Sequence, residues 1–146
     1  MKMTERCAGA IAGGVHVLAV RVYYEDTDFS GSVYHANYLK FCERGRSDCL
    51  RLLGIHHHKL DGAGFVVRRM TCDFLKPARI DDLLEVETRV IEFSGARIEL
   101  RQAVRRGSVD LFMAHVTVAL VDRQGRPKRL PAEVKLALSG GSVTQT

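Results

Sequence analysis

Two absences narrow the classes of protein that this sequence can encode. No run of about 18 apolar residues occurs, and this excludes a conventional transmembrane helix. The four cysteines, Cys7, Cys42, Cys49 and Cys72, include no Cys-x-x-Cys pair. Their wide spacing argues against a zinc site and suits small buried thiols in a reducing compartment. We therefore expect a cytoplasmic protein without a membrane span.

A scarcity of aromatic residues among the basic ones argues against nucleic-acid binding. Tryptophan is absent, and the formal net charge of +5 comes from Lys and Arg residues that are scattered along the chain, often beside Asp or Glu. Proteins that bind single strands usually stack bases on aromatic side chains within a basic groove. A basic surface can equally attract an acidic small molecule that carries phosphates, and we expect that kind of ligand rather than nucleic acid.

The length and composition indicate one folded domain. The chain has 146 residues, of which 46% are hydrophobic and 27% charged, and these values are ordinary for a globular protein. Glu5 interrupts the charged region that a signal peptide needs. Residues 1–14 are interpreted as a flexible tail because they are mostly small and offer little to bury. Residues 139–146 are polar and are predicted to be disordered. The domain then spans residues 15–138.

The hydrophobic period changes between residues 15 and 53. Apolar residues alternate over residues 15–24, which predicts a strand. Over residues 34–53 they recur at steps of three and four, which predicts a helix of about five turns that Gly54 ends. Because Gly45 in the middle of this helix costs about 1 kcal/mol relative to Ala, we expect another element to pack closely against it.

The rest of the domain has the period of a strand. Short Gly-containing turns between the segments favour an antiparallel meander, and the wide apolar face of the helix needs a sheet that curls around it. The last strand is apolar on both sides, at Leu111, Met113 and Val121 for example, so we expect another subunit to cover its outer side or edge. Four strands are predicted, at residues 65–75, 83–93, 96–106 and 109–122.

The junction between the first strand and the helix concentrates polar residues. Glu25, Asp26 and Asp28 lie within four positions, followed by Gly31 and the start of the helix. The first N–H groups of a helix have no partner within it and carry the positive end of its dipole, so a carbonyl placed there would be polarised. A nearby carboxylate could attack that carbonyl or activate water. The alternative is that these acids are helix caps or turn formers.

The same junction carries a family motif. Residues 26–38 read Asp-Thr-Asp, two residues, Gly, two residues, then Tyr-His-x-x-Tyr. The motif and the pattern over residues 15–138 resemble the hotdog-fold thioesterases of the 4-hydroxybenzoyl-CoA thioesterase family, most closely the tol-pal system-associated acyl-CoA thioesterases. This resemblance implies an α+β fold in which a five-stranded antiparallel sheet wraps a long central helix. It also implies a homodimer with a continuous sheet and shared sites, and assembly of dimers into a homotetramer.

The resemblance further implies an activity and a set of site residues. The expected reaction is hydrolysis of a short or otherwise small acyl-CoA to the free acid and CoA, without a cofactor, because coenzyme A is part of the substrate. Asp28 would be the nucleophile or the general base, and the backbone N–H of His35 would polarise the thioester carbonyl. The His35 ring is a weaker catalytic candidate. Weaker candidates for substrate binding are Gly31, Tyr34, Tyr24 and Arg68.

Other interpretations stay open beside this one. A hotdog dehydratase would need a helix-borne acid close to His35, whereas Glu43 and Asp48 lie more than a turn beyond it. A non-catalytic protein that binds acyl-CoA or acyl carrier protein is also possible from the fold alone. Such a protein could be a scaffold at the inner membrane, associated with the tol-pal envelope system or lipid synthesis. The three histidines at positions 56–58 indicate a polar loop rather than a metal site, because no carboxylate or cysteine stands at ligand spacing.

We expect specific partners for two sets of basic residues. Arg44 and Arg46 are expected to pair with Glu43 or Asp48 across the helix or a dimer interface. A second set could hold the phosphates of coenzyme A. Its members are Arg68, Arg69, Lys76, Arg79, Arg126, Lys128 and Arg129.

Overall fold

The computed structural model describes residues 7–56 and 60–140, together with the backbone of residues 144–145. Its elements in chain order are β1 (Ala10–Ala12), β2 (Val15–Arg21), a 3-10 turn (Tyr24–Asp26), α1 (His35–Leu52), β3 (Gly64–Phe74), β4 (Leu83–Ser94), β5 (Arg97–Arg106), β6 (Val109–Val121), α2 (Ala132–Ser139) and β7 (Thr144–Gln145). The predicted long helix and the five predicted long strands are all present.

The strands form one sheet around the helix. Their spatial order is β1-β2-β4-β5-β6-β3, with antiparallel pairing throughout this path, and β7 lies parallel to the end of β4. Helix α1 contacts β2, β4 and β5 on one face of the sheet, and its apolar residues join the main hydrophobic core there. The predicted α+β hotdog fold is confirmed.

The strand order corrects the prediction of a simple meander. Strands β4, β5 and β6 do follow one another through two-residue turns, in which Gly95 and Gly107 have φ values of 58° and 60°. Strand β3 pairs with β6 instead of β4. Strand β6 is therefore internal, and this position partly explains its apolar pattern. The sheet edge on this side belongs to β3, which pairs on one side only within the described residues.

Two glycines of the helical segment behave as the sequence predicts. A Cβ atom on Gly45 would lie 2.9 Å from both Thr88 Oγ1 and Val86 Cγ1, so the expected close approach of another element is confirmed. Gly54 has a φ of 83° and follows the last turn of α1. The N–H of Ile55 then donates to the carbonyl of Leu50, which closes the helix in the way expected for a C-terminal glycine.

The predicted N-terminal tail of residues 1–14 is too long. Strand β1 pairs with β2 through a hairpin whose two loop residues, Gly13 and Gly14, have φ values of 59° and 77°. Positive φ at both positions is what a type I′ turn requires. Ala8 is buried, and its carbonyl lies 2.7 Å from Nε2 of the buried His16. Residues 1–6 lie outside the described residues.

The C-terminal segment also differs from the prediction. Residues 132–139 form α2, which the sequence pattern did not predict, and Val134 and Leu138 are buried in the core. Part of the predicted disordered tail is ordered, because Ser139 belongs to α2 and Thr144 pairs with Glu92 of β4. The rest of that tail, apart from Gly140 and Gln145, lies outside the described residues. Within the described ranges, neither helix is long and apolar enough to cross a membrane.

Candidate functional site

The loop that connects the 3-10 turn to α1 is a tight hairpin, and we call residues 26–34 the site loop. The N–H of Tyr34 donates to the carbonyl of Asp26, and the N–H of Asp28 donates to the carbonyl of Ser32. At the tip, the N–H of Gly31 donates to the carbonyl of Asp28 over 3.0 Å. Gly31 has a φ of 81°, so the tip requires glycine at this position. The fold of the loop thereby fixes the backbone of Asp28.

The Asp28 carboxylate is exposed, and only one of its oxygens is paired. Oδ1 accepts hydrogen bonds from the Ser30 N–H at 2.9 Å and from the Ser30 hydroxyl at 2.5 Å, as in an Asx turn. Within the described part of the chain, Oδ2 has no hydrogen-bond partner. The Ser30 hydroxyl, and then its N–H, lower the pKa of Asp28, and the His35 ring contributes in the same direction. The carboxylate is therefore oriented, ionised at neutral pH and half unpaired.

The N-terminus of α1 lacks a side-chain cap. Its N-cap residue is Tyr34, which makes no side-chain capping hydrogen bond, and the N–H of Asn37 donates to the Tyr34 carbonyl. Among the described residues, no acceptor binds the N–H groups of His35 and Ala36. The interpretation of Asp28 as a helix cap is thus wrong, although its role as a turn former is confirmed. The amides of His35 and Ala36 are free to bind an external oxygen.

Asp26 has a structural role, which is one of the two alternatives that the sequence left open for the acids of this junction. Its side chain is only 4% exposed. Oδ2 accepts from the N–H of Tyr23, and Oδ1 accepts from the Asn37 side chain, each at 2.9 Å. These two bonds tie the start of the site loop to the first turn of α1, while Glu25 stays exposed. Two carboxylates that lie two positions apart in the sequence therefore have opposite environments.

An aromatic cluster adjoins the free end of α1. The His35 ring packs against Tyr34, with ring centroids 4.6 Å apart, and against Phe74, with centroids 6.1 Å apart. Phe74 also contacts Tyr38 and Phe112, yet 52% of its surface is exposed. Tyr34 is thus close to the site, as predicted. Phe74 was not predicted to belong to this region. Its position beside His35 depends on where β3 ends in the folded sheet, and the sequence around Phe74 does not indicate that.

A second loop supports the site loop, and we call residues 76–82 the buttress loop. The N–H of Val33 donates to the carbonyl of Ala78, whose own N–H donates to the Tyr38 hydroxyl. Arg79 pairs by backbone with Ser32, and its guanidinium lies 3.3 Å from the Ser32 hydroxyl. The site loop is therefore held between α1 and the buttress loop.

The weaker sequence candidates fall in different places. Tyr24 is not on the first strand, which ends at Arg21, but on the 3-10 turn, where it is exposed. The predicted strand over residues 15–24 is therefore too long at its C-terminal end, and Tyr24 lies four residues before Asp28. Arg68 lies at a bulge in the middle of β3, beside an open depression that Glu92 and Glu99 also line. The structure does not bring Arg68 to the site loop.

The two cysteines of α1, Cys42 and Cys49, are buried and offer no alternative nucleophile. Burial raises the pKa of Cys42 to about 12 and that of Cys49 to about 11, so both thiols are protonated at neutral pH. Within residues 7–56 and 60–140, no group of three His, Cys, Asp or Glu residues is arranged to hold a metal ion. His57 and His58 lie outside the described residues, so the polar-loop interpretation of that run stays a prediction.

An oriented carboxylate beside an uncapped helix N-terminus, on a helix wrapped by an antiparallel sheet, defines a hotdog protein with a site suited to acyl transfer. A model of the thioesterase superfamily matches residues 30–112, which include most of the site loop and all of α1. The chain belongs to the thioesterase superfamily.

Individual relatives agree with this assignment. The chain is 46% identical over 122 residues to "Acyl-CoA thioesterase YbgC" of Haemophilus influenzae, covering 81% of this chain and 90% of that protein. It is 40% identical over 123 residues to "Acyl-CoA thioester hydrolase YbgC" of Escherichia coli O157:H7, covering 79% of this chain and 89% of the relative.

Solved structures show the same fold. A probable thioesterase from Bartonella henselae superposes with a TM-score of 0.77 at 46% identity, covering 80% of this chain and 99% of that chain. A hypothetical protein from Thermus thermophilus superposes with a TM-score of 0.79 at 31% identity, covering 85% and 97%. The similarity to both extends over almost the whole length of those chains.

Proposed function

We propose that this protein hydrolyses acyl-CoA thioesters, with Asp28 as the catalytic carboxylate. The proposal rests on polar atoms at the site that have no hydrogen-bond partner. These are Oδ2 of Asp28 and the N–H groups of His35 and Ala36, which have none within the described residues. The names of the YbgC relatives, which describe acyl-CoA thioesterases and thioester hydrolases, support the substrate class. We expect the acyl group to be short or otherwise small.

The proposed reaction begins with the thioester carbonyl oxygen at the amides of His35 and Ala36. These donors stabilise the negative charge that develops on the oxygen as the carbonyl carbon is attacked. Oδ2 of Asp28 forms the new C–O bond, the C–S bond breaks, and the CoA thiolate takes a proton from solvent. Water then hydrolyses the resulting anhydride, which releases the free acid and restores the carboxylate.

Direct attack and general-base catalysis are the two routes open to the unpaired Oδ2 atom of Asp28. The lowered pKa of Asp28 does not choose between them, because it weakens the carboxylate both as a nucleophile and as a base. A single turnover in ¹⁸O-labelled water distinguishes the two routes. When water attacks the aspartyl carbonyl of the anhydride, the label enters Asp28 and the acid from the first turnover is unlabelled, a result that only direct attack can give. General-base catalysis puts the label into the acid at once.

We further propose that the site is completed by a second copy of the chain. Strand β3 pairs on one side only in the part of the chain that the structure describes, and it carries exposed apolar side chains at Val66, Val67 and Phe74. Pairing two such edges would extend the sheet and bury these side chains. Phe74 packs against His35, so the interface between the two copies would adjoin the site. Tetramer formation, a tol-pal or acyl carrier protein partner and a position at the inner membrane remain expectations from the family resemblance.

The decisive experiment measures thiol release from a panel of short, long and aromatic acyl-CoA esters. Asp28→Asn should lower kcat about a thousandfold, since it removes the attacking charge, while the melting temperature stays unchanged because the side chain is exposed. Glu25→Gln, a matched exposed acid in the same segment, should retain full activity. An Asp28→Asn variant as active as the parent would exclude the proposed role.

A further inference from the structure

The motif of the site loop and α1 ends at Tyr38, and the proposed reaction leaves that residue without a role. Its ring lies in the core, where it stacks on Phe112 with centroids 5.1 Å apart and meets Phe41 and Phe74 edge-on. Only 4% of the residue is exposed. A phenylalanine would make the same ring contacts, so packing accounts for the ring but not for the hydroxyl.

Within the described residues, the Tyr38 hydroxyl makes one hydrogen bond, and its partner is the buttress loop. The oxygen accepts from the N–H of Ala78 at 2.9 Å, and Ala78 is fully buried. A buried hydroxyl or amide costs free energy unless it is paired, and here each group is the partner of the other. Burial also raises the pKa of Tyr38, so the phenol is protonated at neutral pH.

Ala78 continues the connection into the site loop. Its carbonyl accepts from the N–H of the buried Val33 at 2.9 Å. The carbonyl of the neighbouring Ser32 accepts from the N–H of Asp28, also at 2.9 Å. The hydroxyl of Tyr38 is therefore linked, through two hydrogen bonds, to the hairpin that fixes the backbone of Asp28.

The buttress loop is also bonded on its other side, so it can hold the site loop in place. Oδ2 of Asp82 accepts from the N–H of Arg79 at 2.9 Å and from the guanidinium of Arg106, at the end of β5, at 2.8 Å. The N–H of Asp81 donates to the carbonyl of Val22, just beyond β2. In the described ranges, the hydrogen bond of the Tyr38 hydroxyl is the one that joins this loop to α1.

Tyr38 lies in the same helical turn as the amides of the proposed reaction. It follows His35 by three residues, or about 4.5 Å along the axis at 1.5 Å per residue. The amides of His35 and Ala36 would bind the carbonyl oxygen, and Asp28 would supply the carboxylate. These two sets of groups must keep a fixed separation, because a displacement of about 1 Å can cost a factor of about 100 in rate.

We propose that Tyr38 is a positioning residue for this hydrolysis. Through Ala78 and Val33, its hydroxyl keeps the carboxylate of Asp28 at a fixed distance from the free amides of α1. This inference rests on the proposed function, which gives both groups their roles. Because the hydroxyl acts through the backbone of two loops, its removal should slow the chemical step and leave substrate binding unchanged.

The test compares Tyr38→Phe with Thr88→Val, each of which removes one buried hydroxyl. The Thr88 hydroxyl accepts from Gln102 at 2.9 Å and lies against Gly45, about 15 Å further along the helix than His35. We expect both variants to melt a few degrees lower than the parent. Well below both transitions, Tyr38→Phe should lower kcat about tenfold and leave KM within about twofold. Thr88→Val should change neither constant.

A double variant separates positioning from a direct effect on the substrate. In Asp28→Asn protein, the addition of Tyr38→Phe should change the residual rate by less than about twofold, because the hydroxyl acts through Asp28. Independent losses in the two variants would overturn the proposal. So would an unchanged kcat in Tyr38→Phe, a loss confined to KM, or an equal loss of kcat in Thr88→Val.

Hydrogen exchange measures the same connection without catalysis. The backbone N–H groups of Val33 and Asp28 should exchange about tenfold faster in Tyr38→Phe than in the parent, and Thr88→Val gives the part that lower overall stability contributes. Exchange rates equal to those of Thr88→Val would overturn the proposal whether or not the protein is active. If the parent hydrolyses no acyl-CoA but these amides still respond to Tyr38→Phe, the proposed function fails, and the connection between α1 and the site loop is confirmed.

Discussion

Two polar regions lie against α1, and they differ in how completely their polar atoms are paired. In the middle of the helix, Gln102 donates to the Cys42 carbonyl and the Thr88 hydroxyl and accepts from Arg46, each at 2.9 Å. At the N-terminus, by contrast, Oδ2 of Asp28 has no hydrogen-bond partner among the described residues. The first region is buried and satisfied, whereas the second is open to solvent and to a ligand. Pairing serves stability in the first region, and the unpaired atoms of the second region are the ones that the proposed hydrolysis would use.

We call the buried polar region around Gln102 the buried layer. It exists because α1 approaches the sheet closely at Gly45. A side chain there would meet Thr88 and Gln102, so glycine makes room for the amide of Gln102 to reach the helix backbone. Burial lowers the pKa of the Arg46 guanidinium, which the bond to Gln102 partly compensates by supplying an acceptor. Buried polar groups are tolerated only when they are paired in this way.

Replacing the centre of the buried layer should have the largest effect on stability. Gln102→Leu keeps a similar volume but leaves the Arg46 guanidinium, the Cys42 carbonyl and the Thr88 hydroxyl without their partner. We expect the free energy of unfolding to fall by about 3 kcal/mol, as measured by urea denaturation. Gln124→Leu, which replaces an exposed glutamine, should change it by less than about 0.5 kcal/mol. Equal midpoints for the two variants would show that the buried pairing adds nothing.

This layer marks the limit of what periodicity predicts. The alternation and the three-four spacing gave the five long strands and α1, because burial of one face repeats at fixed steps. Arg46 was expected to pair with Glu43 or Asp48, yet it binds Gln102, 56 positions away. Partners across the fold depend on which strands pack against α1, here β4 and β5, and hydrophobic period does not indicate that. The same limit applies to α2, because the core residues that its apolar face contacts are known only from the folded structure.

The site was predicted in part for a different reason. The motif brings Asp28, Gly31 and His35 together through a few intervening residues, so a local turn suffices to place them. Ser30 could have been identified from its place in an Asp-x-Ser-Gly turn. The contact between Arg79 and Ser32 could not have been identified, because it joins segments 47 positions apart. The sequence therefore predicted the carboxylate and the helix N-terminus, while the loop that supports them required the fold.

The two aspartates of the site loop provide a second test of the comparison. Asp26→Asn puts an amide group opposite either the Tyr23 N–H or the Asn37 side-chain amide, so two donors would face each other in a buried place. We expect the free energy of unfolding to drop by about 2 kcal/mol, as measured by thermal or urea denaturation. Below its transition the variant should retain activity within about tenfold, since Asp26 does not touch the substrate. Asp28→Asn should show the reverse pattern.

This reversal separates a structural from a catalytic carboxylate. If Asp26→Asn abolished activity without loss of stability, the assignment of roles to the two residues would have to be exchanged. If both variants lost stability, Asp28 would be a turn former only. The contrast depends on the exposure of the side chains, which is 4% for Asp26, whereas Asp28 is exposed.

The smallest expected effect concerns the acid limb of the pH–rate profile. The Ser30 hydroxyl is the main cause of the lowered pKa of Asp28, so Ser30→Ala should raise that pKa towards its usual range. The ionised carboxylate is the reactive form, and activity is lost as pH falls through its pKa. The acid limb of kcat/KM should therefore move to higher pH, with little change at neutral pH because the Ser30 N–H still donates to Oδ1. Ser108→Ala, in an exposed turn between β5 and β6, should leave the limb in place. A limb that stayed fixed in Ser30→Ala would mean that a group other than Asp28 sets it, and the unpaired oxygen would then have no part in catalysis.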